Sequence, residues 1–229
     1  IAGVHSTPVA GTYGAISISS AGVWTYNLNN ADTDTQALAA GESVTERFVA
    51  TVSDGAGGTA TQEIRVQITG SNDAPEVSAG PDSATLAENI ASPLVASGSL
   101  TVGDVDLSDV VTVSRSLVVS GGSNRSDPAA PSDAQLLAML SLSPATVPTN
   151  PQTSENLTWS FNSGAQAFDY LQKDETLVLT YTVTATDDAG TPLSDSETVT
   201  ITITGTNDAP TLSASRTAVA YSDTAADDS

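Results

Sequence analysis

Apolar and polar residues alternate along two stretches of this chain, and the two stretches are copies of one another. In the first, Ile64, Val66 and Ile68 are separated by Arg65 and Gln67; in the second, Val199, Ile201 and Ile203 are separated by Thr200 and Thr202. Period-two alternation puts each apolar set on one face of a strand, toward a core, and the polar set toward water. Both stretches run into the same signature, Gly70-Ser71-Asn72-Asp73-Ala74-Pro75 and Gly205-Thr206-Asn207-Asp208-Ala209-Pro210, displaced by 135 positions. Upstream, Phe48, Ala50, Val52 and Asp54 match Tyr181, Val183, Ala185 and Asp187. Leu38 and Glu42 match Leu171 and Glu175, and Trp24-Thr25-Tyr26 matches Trp159-Ser160-Phe161. So long a shared register is an internal repeat.

The repeat divides the chain unequally. Residues 1–73 read as a partial unit that begins mid-domain, 74–208 as a complete and longer one, and 209–229 as the start of a further one. The longer unit carries a Gly-, Ser- and Pro-rich loop insert over 120–151, with a short helix predicted from Asp133 to Leu140 and capped by Ser132. Asp32 and Asp34 read as a turn that caps a second short helix, Gln36 to Ala39. Short strands separated by turns such as Asp54-Gly55 and Asp188-Ala189-Gly190, with no βαβ alternation, predict an all-β chain of tandem immunoglobulin-like β-sandwich domains.

Charge then narrows the chemistry. The net charge is −21, with 19 Asp, 8 Glu and only 6 Lys plus Arg. At 39% hydrophobic residues the chain still has enough apolar surface to fold, so this is not a disordered acidic tail. Six cations cannot neutralise 27 carboxylates, so divalent cations or high salt are the natural partners, beside the plainer reading that acidity keeps a surface protein soluble; nucleic acid has the wrong sign. With no Cys, neither disulfides nor a zinc–thiolate site can form. No apolar run is long enough to span a bilayer, no secretory signal is present in these residues, and direct membrane insertion is not expected. A single His, His5, leaves no Ser-His-Asp set, and aromatics at 4% leave little to stack against a sugar; an enzyme is not expected. Asp127-Pro128 reads as an exposed loop, and Lys173, the one lysine, as an exposed turn residue.

The run Gly22 to Tyr26, the stretch Leu38-Ala39-Ala40-Gly41-Glu42, the turn Ser53 to Gly58 and the exit Gly70 to Pro75 together resemble the VCBS repeat. That family stands in tandem in very large RTX-type bacterial adhesins exported by type I secretion. The segment Ala220 to Asp228 resembles the opening of another such unit. The resemblance implies a secreted spacer at the bacterial cell surface, whose partners are the neighbouring repeats of the same polypeptide. A strand taken from 211–229 is expected to complete the open first unit, in the same or a neighbouring molecule.

A broader resemblance is to cadherin repeats, and it implies Ca2+ at the junctions between units. Such sites draw ligands from a linker resembling Asn72-Asp73, from an Asp-x-Asp like Asp104-Val105-Asp106, and from an Asp before a glycine turn, here Asp187. Asp109 and Asp188 stand next in line. Glu88, with Asn207 and Asp208, would form the following junction. Where the cadherin linker carries an Asp, this chain has Gly70, which implies fewer or weaker ions per junction. Calcium takes six to eight oxygens, and short Asp side chains at loop ends supply them; the same Asn-Asp-Ala-Pro also reads as a plain turn capped by its own Asp. The rival function is a ligand-binding module, for carbohydrate or protein, that uses the insert loops of the longer unit.

Overall fold

The computed structural model describes residues 8–88, 93–148 and 154–209. His5 and the segment 211–229 lie outside the described residues.

Among the described residues the first unit has five strands. β1 (Val9–Ala10), β2 (Gly14–Ile18) and β3 (Trp24–Leu28) make one antiparallel sheet; β4 (Ser43–Ser53) and β5 (Thr59–Thr69) make a second, an eleven-pair ribbon. The sheets face one another: the Tyr26 and Phe48 rings lie 6.1 Å apart. The Glu46 carboxylate of β4 meanwhile accepts the Tyr13 N–H of the facing sheet at 3.1 Å. α1 (Thr33–Gln36) starts at Asp32, whose side chain accepts the Asp34 N–H, so the cap falls where the turn chemistry puts it and the helix sits three residues earlier than the sequence suggests.

The second unit is a two-sheet sandwich. Its strands are β6 (Glu76–Ser78), β7 (Asp82–Ala87), β8 (Val95–Gly103), β9 (Val110–Gly121), β10 (Leu140–Ser143), β11 (Thr146–Pro148), β12 (Ser154–Asn162), β13 (Thr176–Thr186) and β14 (Ser194–Thr204). One sheet has the order β10-β12-β8-β6 and the other β11-β9-β13-β14-β7, in which β7 joins β14 in parallel and the remaining pairs are antiparallel. Alternate residues meet between the sheets. Leu100 and Val102, Leu157, Trp159 and Phe161, Leu177 through Ala185 by twos, and Val199, Ile201 and Ile203 are all essentially inaccessible. Burying a side chain of this size stabilises by about 1.5–3 kcal/mol, so this core dominates the unit's stability.

The repeat is structural as well as sequential. β4–β5 and β13–β14 are both ribbons of eleven antiparallel pairs. Gly41 and Asp174 both take a left-handed backbone, and the backbone N–H of each reaches Gly70 and Gly205 respectively. A Cβ at Gly70 would run into the Leu38 and Ala39 carbonyls, and one at Gly205 into the Gln172 carbonyl. That close approach leaves no room for a side chain at either position without a shift of the backbone.

The segment 120–151 is more ordered than a loop insert. β9 runs into it, α2 (Asp133–Ala138) follows with a capping box between Ser132 and Gln135, and β10 and β11 lie within it. β10 pairs with β12 as β2 pairs with β3, so it belongs to the repeat rather than to an insertion.

Candidate metal centre

At the end of the second unit that meets the first, four Asp side chains are withdrawn from solvent. Asp104 and Asp106 follow β8, Asp109 precedes β9, and Asp187 follows β13; they are 3%, 0%, 8% and 3% exposed. Oxygens of Asp104, Asp109 and Asp187 lie within 4.8 Å of one another. Local turns hold them there. Asp106 N–H donates to Asp104 Oδ1 at 3.0 Å, and Asp109 N–H to the Asp106 carbonyl at 3.1 Å. Asp187 accepts the Ala189 and Leu193 N–H groups at 3.1 and 3.0 Å, which fixes its carboxylate in the β13–β14 turn.

The linker closes over this cluster. Asn72 Nδ2 donates to Asp187 Oδ2 at 3.0 Å, and Asp73 N–H donates to Asp106 Oδ2 at 2.8 Å. Asp188, an exposed neighbour, instead accepts the Val110 N–H at 2.8 Å. All five residues expected at the first junction therefore converge. Asp109 joins the tightest trio, and Asp106 sits beside it, engaged by the Asp73 backbone.

Burial and mutual repulsion show in the acidities. Desolvation, with the Asp109, Asp187 and Asp73 charges behind it, pushes the Asp104 carboxyl up to about 6. Desolvation, with Asp104, Asp73 and Asp109, likewise pushes Asp106 up to about 6. Asp109 is raised by burial and by Asp188, Asp187 and Glu42. Glu42 belongs to the first unit, so the cluster feels charge from both sides of the junction. The donor set is all oxygen and mostly anionic, and two buried oxygens, Asn72 Oδ1 and Asp104 Oδ2, have no hydrogen-bond partner among the described residues. Such a donor set could hold a hard cation: a divalent ion there would remove the repulsion and take the remaining lone pairs.

Asp54, the repeat counterpart of Asp187, has a different fate. It is exposed and turns back on its own loop, accepting Ala56 and Gly58 N–H groups at 2.8 and 2.9 Å, which hold its acidity on the strong side of normal. No acidic partners surround it among the described residues.

The opposite end of the second unit holds a smaller group. Glu88, 4% exposed, accepts both the backbone N–H and the hydroxyl of Thr206, while its Oε2 is buried without a partner among the described residues. Burial, Asp208 and Asp169 raise its pKa. Asn207 and Asp208 are exposed, with Asn207 Nδ2 reaching the Asp208 carbonyl at 3.3 Å. Asp169 was missed by the sequence reading; its only signal is a position directly after Phe168, a buried anchor of the core.

The remaining candidates stay peripheral. Asp127 caps its own loop through the Ala129 N–H. Lys173 is exposed, 3.8 Å from Asp174. The 120–151 region is tied to the core through Leu136, which is fully buried and whose carbonyl accepts the Tyr181 hydroxyl at 2.7 Å. No helix among the described residues is long and apolar enough to cross a membrane.

No protein-family model matches this sequence, and no curated protein matches it. Among solved structures, it is similar to mouse clustered protocadherin PcdhgC3 EC1-3, with TM-score 0.42, 11% identity, and coverage of 85% of this chain and 52% of that one. It is similar to Protocadherin Gamma B2 extracellular cadherin domains 1-5 (TM-score 0.42, 14% identity, 88% and 33% coverage). The PapD-like domain 7 of human CEP192 matches at TM-score 0.35 and 11% identity, over 59% of this chain and 87% of that one. The chain thus spans about half or less of these protocadherin structures. At these identities and TM-scores the likenesses carry no conclusion about this chain, whose all-β sandwich organisation rests on its own strands and sheets.

Proposed function

We propose that this chain is a spacer segment of a secreted bacterial cell-surface adhesin of the VCBS-bearing RTX type, in which calcium at the junctions between sandwich units sets the stiffness of the array. The observation that carries the reading is the clasp of the linker on the buried carboxylates: Asn72 on Asp187 and Asp73 on Asp106, with Asp104 and Asp109 alongside. A linker whose own side chain and backbone bond the next unit transmits the state of the acidic cluster to the angle between units. Bound calcium would neutralise the cluster, held by Asp104, Asp106, Asp109 and Asp187 with the Asn72 carbonyl oxygen. Without it, the carboxylates repel one another and the linker loses its anchor. Glu88, Asp169 and Asp208, with Asn207, would serve the next junction in the same way.

The role is mechanical and non-catalytic, so the test is thermodynamic. Calcium titration by calorimetry is expected to give saturable binding in the native chain. Asp104→Ala together with Asp106→Ala should abolish the tightest event. Equal heats from the native and doubly substituted chains would overturn the assignment.

A further inference from the structure

We propose that the outer face of the β4–β5 ribbon binds a carboxylated polysaccharide, an acidic sugar chain gripped at one carboxylate by Arg47 and Arg65. These two arginines stand directly opposite one another across the ribbon. Their side chains are 55% and 63% exposed, and both are held by one acid. Arg47 Nη1 donates to Glu63 Oε1 at 2.9 Å, and Arg65 Nε donates to the same oxygen. Phe48, on the other side of β4, meets Tyr26 of the facing sheet, so Arg47 and its partner lie on the side turned away from that sheet.

Stability does not account for the arrangement. Like charges directly opposite on a sheet are destabilising, and exposed ion pairs contribute little. The second unit shows the same ribbon without them. The repeat carries Arg47, Glu63 and Arg65 onto Thr180, Thr198 and Thr200, and Thr180 pairs with Thr200 as Arg47 pairs with Arg65. Three threonines thus suffice to build this ribbon. The triad is an addition that the fold does not need, in a chain with six cations against 27 carboxylates.

What the triad can hold follows from its donors. A guanidinium carries five N–H donors in a planar fork, and Glu63 engages one from each arginine, the only partner of either among the described residues. The remaining donors fit a carboxylate, clasped between two forks whose Cβ atoms stand about 4.5–5.5 Å apart. The surroundings select what carries that carboxylate. Along the same face lie Ser43, Thr45 and Thr51 of β4 and Thr61, Gln67 and Thr69 of β5, all exposed. Such rows of hydroxyls and an amide match the hydroxyls of a sugar chain. Val49 is the single apolar side chain on this track, which leaves little to anchor the side chains of a peptide.

The test is run in chelator, so that no metal bridges the sugar to the acidic junction. The ligand is a short oligogalacturonate, because a net charge of −21 repels a long polyanion. Calorimetric titration of the 229-residue chain is expected to show binding, and a neutral galactose oligomer should show none. Arg47→Thr with Arg65→Thr gives the first unit the residues of the second. It should keep the melting temperature and lose affinity by about tenfold or more. Arg47→Lys with Arg65→Lys keeps the charge without the forks and should weaken binding severalfold. Glu63→Thr removes the competing carboxylate and should tighten binding, a direction that a purely structural triad does not give. No binding by the native chain, an affinity unmoved by the double threonine variant, or a Glu63→Thr variant that binds no better would each overturn the proposal. So would tighter binding of polyglutamate than of the sugar.

Discussion

Asn72, in the link between the two units, donates its side-chain amide to the Asp187 carboxylate at 3.0 Å, across 115 positions of sequence. Hydrogen bonds to charged groups contribute about 1.5–3 kcal/mol. Asn72→Ala removes this one and also the carbonyl oxygen offered to a cation, while leaving the Asp73 backbone bond to Asp106 intact. Calcium affinity is expected to fall by about tenfold or more, with a smaller loss of melting temperature in chelator. Unchanged calcium isotherms would separate the linker from the site.

Asp104→Asn should have opposite effects in the two conditions. The Asn oxygen can still accept the Asp106 N–H that Asp104 Oδ1 accepts at 3.0 Å, but the buried charge is gone. In chelator the variant is expected to melt above the native chain, because a repelled carboxylate has been removed. In calcium it is expected to melt below it, because a ligand charge has been lost. Paired melts in chelator and calcium check this; a shift of the same sign in both would show that the carboxylate acts through packing alone.

The acidities give the pH dependence a definite sign. An Asp raised from 3.8 to about 6 on folding holds its proton in the folded chain after the unfolded chain has lost it. The metal-free chain therefore loses stability as pH rises through the window from 3.8 to about 6, and the penalty is complete above it. Bound calcium requires the ionised form, so its stabilisation shrinks as pH falls through the same window. Melting temperature against pH is expected to slope downward in chelator and to be flat or rising in calcium. Parallel slopes would contradict the assignment.

Much of this was legible in the sequence, and the misses share a physical cause. The strands that build the second core follow directly from Ile201, Tyr181 and their alternating neighbours, because period-two burial is a local property. The clustering of Asn72, Asp73, Asp104, Asp106 and Asp187 was legible too, since they sit at loop ends whose positions follow from those strands. The exposure of Trp24 was not: it shares its pattern with Trp159, yet it is half exposed, because burial is a tertiary property that alternation along one strand does not fix. Asp169 reaches Glu88 only through the packing of Phe168, a tertiary relation with no local mark. β10 was hidden because Leu140-Ser141-Leu142-Ser143 alternates for only four residues, beside a helix.

Gly70→Asp offers a check on the linker. It would restore the acidic residue of the cadherin-type pattern, so sequence logic alone expects tighter calcium binding. The structure expects the reverse, since any Cβ at this position meets the Leu38 and Ala39 carbonyls. The variant should lose stability of the first unit by about 1–3 kcal/mol, the usual scale of overpacking, with no gain in calcium affinity. A gain in affinity with no loss of stability would show that the turn gives way.

Shape is the property that matters most to a spacer, and it can be measured without knowing what lies at either end of the array. Ala74 and Pro75 are too short to act as a free tether, and Pro75 is buried. On the proposed reading, the angle between units depends on whether Asn72 and Asp73 stay clasped to the acidic cluster. An ion that binds the closed junction and not the unfolded chain adds about 2.7 kcal/mol at a hundredfold excess over its dissociation constant. Calcium is expected to raise the melting temperature and to narrow the distribution of interunit angles, seen by small-angle scattering as a longer and better-defined maximum dimension. Magnesium demands a near-ideal octahedron and sheds its water reluctantly. It should do both poorly, because the oxygens here come from two separate loops and a linker rather than from a regular cage. Identical scattering curves and melting points in calcium and chelator would leave the buried Asp cluster without a mechanical role.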